Sequence, residues 1–173
     1  MRIFRIALLA LLLAHSSTFA QAPTSAPGTD TKLSQYYVNF MAGRFLPYDI
    51  YGVRSIVPYW GARFGHPLGD ANLEWSGIIG YGRGAKYYDA SIALAFPSEL
   101  EGWKFIPFFG LHTHYYSGST SSGPLPYATA MGFHFGASPL IEIGPNFALR
   151  ADFKFNYNPG KSLHVGGGFQ YNF

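Results

Sequence analysis

The stretch SLHVGGGFQYNF, residues 162 to 173, alternates with a period of two up to its last residue. Leu163, Val165, Gly167, Phe169, Tyr171 and Phe173 form one series; His164, Gly166, Gly168, Gln170 and Asn172 form the other, polar or tiny. A β-strand sends successive side chains to opposite faces, so this spacing predicts a strand with one apolar and one polar face, and no helix sorts it this way. Terminal residues fray unless tied down. A greasy series carried to Phe173 therefore predicts a final strand paired along its whole length, as in a sheet that closes on itself.

Seven further segments repeat the pattern. In IEIGPNFALRADFKFNY (141–157) every charge falls on the face of Glu142, Arg150, Asp152 and Lys154, opposite Ile141, Ile143, Phe147, Leu149, Phe153, Phe155 and Tyr157. Comparable alternation runs through 35–45, 54–65, 71–82, 85–96, 102–116 and 126–137. Tight turns are expected at 66–70, 97–102 and 137–140, and the remaining connectors at 44–53, 82–86, 117–126 and 157–162. Eight strands return both termini to one side, which specifies an all-β, eight-stranded antiparallel up-and-down barrel.

The solvent follows from composition. Charged residues make up 12% of the chain and aromatic ones 18%, whereas a water-facing surface carries roughly 25–35% charge. A soluble barrel would turn its greasy faces inward and need outer charge that this sequence lacks. After residue 20 no apolar run reaches the roughly twenty residues of a membrane helix. The strands themselves are thus expected to be transmembrane. Trp60, Trp75 and Trp103 are read as lying near strand ends, with tyrosines such as Tyr87 and Tyr88, as interfacial girdles. Residues 1–20, MRIFRIALLALLLAHSSTFA, have the charged start, short apolar run and small-residue end of a cleaved signal peptide. Residues 21–34 read as a flexible lead-in, and 35–173 as the barrel domain. Arg2 and Arg5 leave with the leader, so the formal charge of +3 loses two positives and no basic run suggests nucleic acid. There is no cysteine, so disulfides do not stabilise the domain.

Leader, strands and the ending with Phe173 together resemble the small bacterial outer-membrane proteins of the OmpA-transmembrane and OmpX type, over about residues 35 to 173. The resemblance implies location in the bacterial outer membrane, contact with its lipid and lipopolysaccharide, and insertion by the β-barrel assembly machinery. It assigns the assembly signal to Phe169, Tyr171 and Phe173. It further implies a non-enzymatic role in envelope structure or surface interaction. No peptidoglycan-binding domain is expected after the barrel, so the resemblance does not imply tethering. A monomer is expected, with any extracellular ligand bound through the loops.

The inward series holds Asn39, Arg63, Glu74, Asp89, Lys104, His112, His114, His134, Glu142, Arg150, Asp152, Lys154 and Gln170. Eight strands enclose a space that side chains fill. Four cations, Arg63, Lys104, Arg150 and Lys154, face four anions, Glu74, Asp89, Glu142 and Asp152, and are expected to form an ion-paired network in a closed lumen. Folding at HPLGD is expected to set Arg63 opposite Glu74, and Gly166 and Gly168 to make room for larger side chains. His112 and His114 share a face, but His134, read near the lower end of its strand, is expected more than about 10 Å away, so no metal site is predicted. No cofactor or catalytic residue is assigned. Two other classes stay open. One is a lipid A-modifying enzyme, although no histidine begins the His-x-Ser-Asn arrangement of lipid A deacylases. A palmitoyltransferase-like enzyme would need a hollow apolar upper lumen, where strand seven is expected to place Asn146, Arg150, Asp152 and Lys154. The other class is a narrow low-conductance pore.

Overall fold

Alternation of apolar and polar residues becomes a barrel wall. The computed structural model describes residues 35–48, 56–82, 85–100, 102–117, 119–120, 123–124, 130–157 and 160–173. The expected leader (1–20) and lead-in (21–34) lie outside the described residues. Eight long strands form the wall: β1 (Tyr37–Pro47), β2 (Val57–Leu68), β3 (Ala71–Gly82), β4 (Ala85–Ala95), β5 (Trp103–Ser117), β6 (Ala130–Glu142), β7 (Phe147–Tyr157) and β8 (Lys161–Asn172). Each pairs antiparallel with its neighbours in sequence, β4 pairs β5, and β1 pairs β8 from Tyr37↔Asn172 to Pro47↔Ser162, so the sheet is closed. Beyond β8, the amide of Phe173 donates to the Tyr36 carbonyl at 3.0 Å and completes the seam.

The register fixes the geometry. A walk from Tyr37 through its successive partners Gly65, Glu74, Ala93, Gly110, His134, Asn156 and Ser162 comes back to β1 at Pro47, ten residues along. That stagger tilts the strands by roughly 40°, within the usual barrel range. It is an even number, so the inward series stays inward all the way round.

The turn between β2 and β3 is the pair Gly69–Asp70, with Gly69 in the left-handed region at φ 62°, and Leu68 faces Ala71. A short strand, Ser98–Leu100, continues the line of β4 past Pro97 and pairs with the start of β5, where Gly102 takes φ 81°. Two of the three expected tight turns are therefore present but begin later in the chain. The third is misplaced in the sequence reading. Ser138 and Pro139 lie inside β6, which runs on to Glu142, and the chain reverses at residues 143–146, so β7 starts at Phe147 and not at Ile141. Alternation could not reveal this, because Glu142 pairs with Ala148 and the inward parity is the same on both sides of the turn. Proline has no N–H for a ladder. The β6–β7 pairing accordingly skips Ser138 and Pro139, and the Ser138 hydroxyl donates to Asp152 across the gap.

One barrel end carries the tight turns and both described chain ends (the turn end); at the other β1, β3, β5 and β7 finish and β2, β4, β6 and β8 begin (the loop end). The outward face is apolar, with Phe40, Trp60, Trp75, Phe109, Leu111, Met131, Phe133, Leu149 and Phe153 all exposed. Trp103 stands at a strand end as expected. Trp60 and Trp75 stand several residues inside β2 and β3, and Tyr81, Tyr88, Tyr115 and Tyr157 form the aromatic rim of the loop end instead.

Candidate functional site

Nearest the turn end, the lumen is occupied by a ring of alternating charge. Arg63 Nε lies 3.3 Å from Glu74 Oε2, and Arg150 Nη1 donates to Glu74 Oε1 at 2.9 Å. Asp152 Oδ1 lies 3.4 Å from Arg150 Nε and 3.0 Å from Arg63 Nη1, closing the circle. All four residues are at most 4% exposed. Buried ions are tolerable only when paired and hydrogen-bonded. Here each carboxylate bridges two guanidiniums, Tyr37 and Ser138 add hydroxyl donors to Glu74 and Asp152, and Arg150 donates to the Tyr37 oxygen at 3.0 Å. Arg63 lies over the Phe108 ring and Arg150 over the Tyr37 ring. Arg63 does not face Glu74 directly: its partner in the register is Ser76 and that of Glu74 is Gly65, because the turn sits one residue later than HPLGD implied. The ion pair forms diagonally.

A second polar layer lies towards the loop end. Lys154 Nζ bonds Asp89 Oδ1 at 2.7 Å and Ser91 Oγ at 3.2 Å. The Tyr87 hydroxyl reaches Asp89 Oδ2 and His164 Nε2, each at 3.0 Å, and Asn156 Nδ2 reaches the same imidazole nitrogen at 3.0 Å. His112 stacks on His114 with centroids 5.4 Å apart and lies 5.8 Å from the ring of His134. The separation above 10 Å expected from the sequence is thus wrong. A turn at 137–140 would put His134 at the foot of its strand, whereas β6 continues eight residues further, to Glu142, and His112 faces Gly132. Even so, among the described residues no group of three or more His, Cys, Asp or Glu is arranged to hold a metal ion.

Above this layer Met41, Phe45, Val57, Tyr59, Ile78, Tyr87 and Tyr116 form an apolar stopper, with Phe45 stacked on Tyr87 at 4.3 Å. A smaller cluster of Ala93, Ala95, Ile106 and Phe108 fills part of the turn-end lumen. The loop-end lumen is therefore not hollow, and of the four strand-seven residues expected there Lys154 alone lies in that half. Asn146 lies in a turn at the opposite end, and Arg150 and Asp152 belong to the turn-end ring. The remaining expected pair, Lys104 with Glu142 at 2.7 Å, sits at the rim, where the Glu142 side chain is 53% exposed. Asn39 and Gln170 are buried in the lumen.

Large inward rings are seated on glycines. Tyr59 lies over Gly43 and Gly166, the Tyr37 ring fills the place of a Cβ on Gly65, and the Asn39 amide lies against Gly168. On the outside Tyr171 packs 5.0 Å from Phe147, Phe169 5.2 Å from Phe147, and Phe173 stacks on Tyr36 at 6.2 Å. All three candidate assembly residues therefore face outward beside the β1–β8 seam.

No family model and no curated protein matches the chain. Its fold matches solved outer-membrane barrels. The N-terminal β-barrel domain of Pseudomonas aeruginosa OprF superposes with a TM-score of 0.62 at 17% identity, over 80% of this chain and 98% of that one. Neisserial surface protein A gives 0.60 at 16%, over 80% and 97%. Ail from Yersinia pestis, in a phospholipid nanodisc, gives 0.50 at 14%, over 80% and 100%.

Proposed function

We propose that the chain is a small integral outer-membrane barrel with a closed lumen, acting through its loops or as a membrane scaffold and not as an enzyme or a pore. The ring of Arg63, Glu74, Arg150 and Asp152 carries this reading, because it spans the lumen with balanced charge and leaves no single-signed path for an ion. Outside it, a charge-poor apolar wall suits hydrocarbon, which a sheet can cross with its backbone satisfied only when it is closed. Two measurements test it. The purified barrel in planar phosphatidylcholine bilayers is expected to give no large, stable conductance near neutral pH. Lipid A from cells with and without the gene is expected to have the same mass. A steady open level would make the protein a pore, and a change in acyl-chain number would make it an enzyme.

The same reading places the loop end outside the cell and both chain ends in the periplasm, where Phe169, Tyr171 and Phe173 would be presented to the assembly machinery. Charge supports this orientation. Arg44, Lys86 and Lys161 are exposed on the outer wall towards the loop end, where phosphate-bearing lipid headgroups lie, while Asp70, Glu99 and Glu142 are exposed at the turn end. A cysteine at Ser121 is expected to react with a membrane-impermeant maleimide on intact cells, and one at Leu100 to stay unlabelled. The reverse pattern would invert the barrel.

A further inference from the structure

Four of the six histidines lie in one layer of the lumen, which the closed-barrel reading leaves without a role. His112 and His114 come from β5, His134 from β6 and His164 from β8, and all four are buried. The charges that face them are Lys154 from β7 and Asp89 from β4, already paired with one another at 2.7 Å. Tyr59 from β2, Tyr87 from β4 and Tyr116 from β5 close the layer towards the loops, and Ser76 from β3 and Ser91 from β4 bond each other below it. No charged group of β1 or β3 reaches the layer among the described inward residues. On the turn-end side the nearest cation is Arg63, screened by Phe108, whose ring lies 6.0 Å from His134.

This layer has one cation and one anion, so it is neutral only while its imidazoles are neutral. Imidazole is the side chain whose ordinary titration falls between pH 5 and 8. Each proton added here is an excess positive charge beside Lys154, with no second carboxylate among the described residues of the layer to receive it. The hydrogen bonds of His164 also have two consistent arrangements. The Asn156 amide nitrogen can only donate, so in the observed arrangement His164 Nε2 accepts and is unprotonated. Rotating that amide would present Asn156 Oδ1, which has no partner among the described residues, to a protonated Nε2. Tyr87 would then accept from the imidazolium while donating to Asp89. That rearrangement would accommodate a proton on His164, whereas stacked His112 and His114 would repel each other on taking one.

We propose that this layer is an acid-responsive plug: protonation of its histidines loosens the loop-end half of the lumen, while the ring of arginines and carboxylates beneath stays locked. The inference rests on the closed-lumen reading. Conductance near neutral pH bears on that reading, and the experiment below bears on the plug.

Amide hydrogen exchange of the full chain, folded in phosphatidylcholine vesicles, reads the two layers separately. From about pH 7.5 to about pH 5, exchange at Ser91, His112, His134 and Lys154 is expected to accelerate about tenfold relative to Arg63, Glu74 and Asp152, a ratio that cancels the intrinsic pH dependence. Reversal on return to neutral pH is part of the expectation. The triple variant His112→Gln, His114→Gln, His134→Gln should lose most of the change, and His66→Gln, outside the lumen, should keep it. A ratio that does not move in the wild type overturns the proposal, even if the triple variant fails to fold. So does an acid response of equal size in a folded triple variant, or one in which both layers loosen together.

Discussion

Replacing Glu74 by alanine is expected to cost the barrel about 3–5 kcal/mol, the usual result of stranding a buried charge. Glu74 bonds both Arg150 and Arg63, and it receives the Tyr37 hydroxyl. Without it two guanidiniums, both almost fully buried, share Asp152 alone. Replacing Glu74 and Arg150 together by leucine and methionine should be much milder. Arg63 and Asp152 would keep their 3.0 Å pair, and exchanging a whole buried ion pair for apolar groups of similar volume is often neutral or stabilising. Urea unfolding in phospholipid vesicles, followed by the mobility of the folded form on unheated gels, gives both values. If the single variant unfolds at the same urea concentration as the wild type, the ring is ornamental. If the double variant is as damaged as the single one, the loss comes from packing and not from stranded charge.

Much of this arrangement was legible in the sequence, and the parts that were not share a cause. Period-two alternation gives the face of every residue, so the sequence sorts Arg63, Glu74, Asp89, Arg150, Asp152 and Lys154 into the lumen from residue types alone. Height along the barrel is a different quantity. It depends on where each turn falls and on a stagger accumulated around eight strands, and alternation is blind to both. An even slip of register leaves every side chain on its own face. For this reason Ser138-Pro139 reads as a turn in the sequence, and His134 as distant from His112. The same blindness hides the partners in the ion ring: Glu74 meets Arg150 across the lumen, between β3 and β7, which no local spacing links. The glycine reading, by contrast, needed only faces. Gly166 and Gly168 were expected to make room inside, and they do, but the side chains that use the space, Tyr59 and Asn39, are set by the register of β1, β2 and β8.

That register makes two adjacent glycines opposite in kind. Gly166 faces the lumen, pairs with Gly43, and lies beneath the phenol of Tyr59, which is itself the partner of Gly43 on β2. A Cβ at Gly166 would meet the Tyr59 hydroxyl and come within 2.7 Å of the Ala42 carbonyl. The ring could turn away, but the carbonyl belongs to the opposing backbone of the seam that closes the barrel. Gly167 faces outward, between Ala42 and Ala151, and a Cβ there would find only the Arg150 carbonyl, at 3.7 Å. Valine at 166 is therefore expected to prevent closure and leave little folded protein. Valine at 167, a β-branched residue on an apolar face, should change stability by no more than about 0.5–1 kcal/mol in either direction. Alanine at 166 should fall between them and recover in part when Tyr59→Ala removes the ring, since the contact with the Ala42 carbonyl persists. The yield of compact, heat-modifiable barrel after refolding into vesicles measures all four variants. Equal yields for valine at 166 and at 167 would mean that the seam tolerates a wider lumen, and that neither the inward placement of Gly166 nor the seating of Tyr59 upon it governs closure.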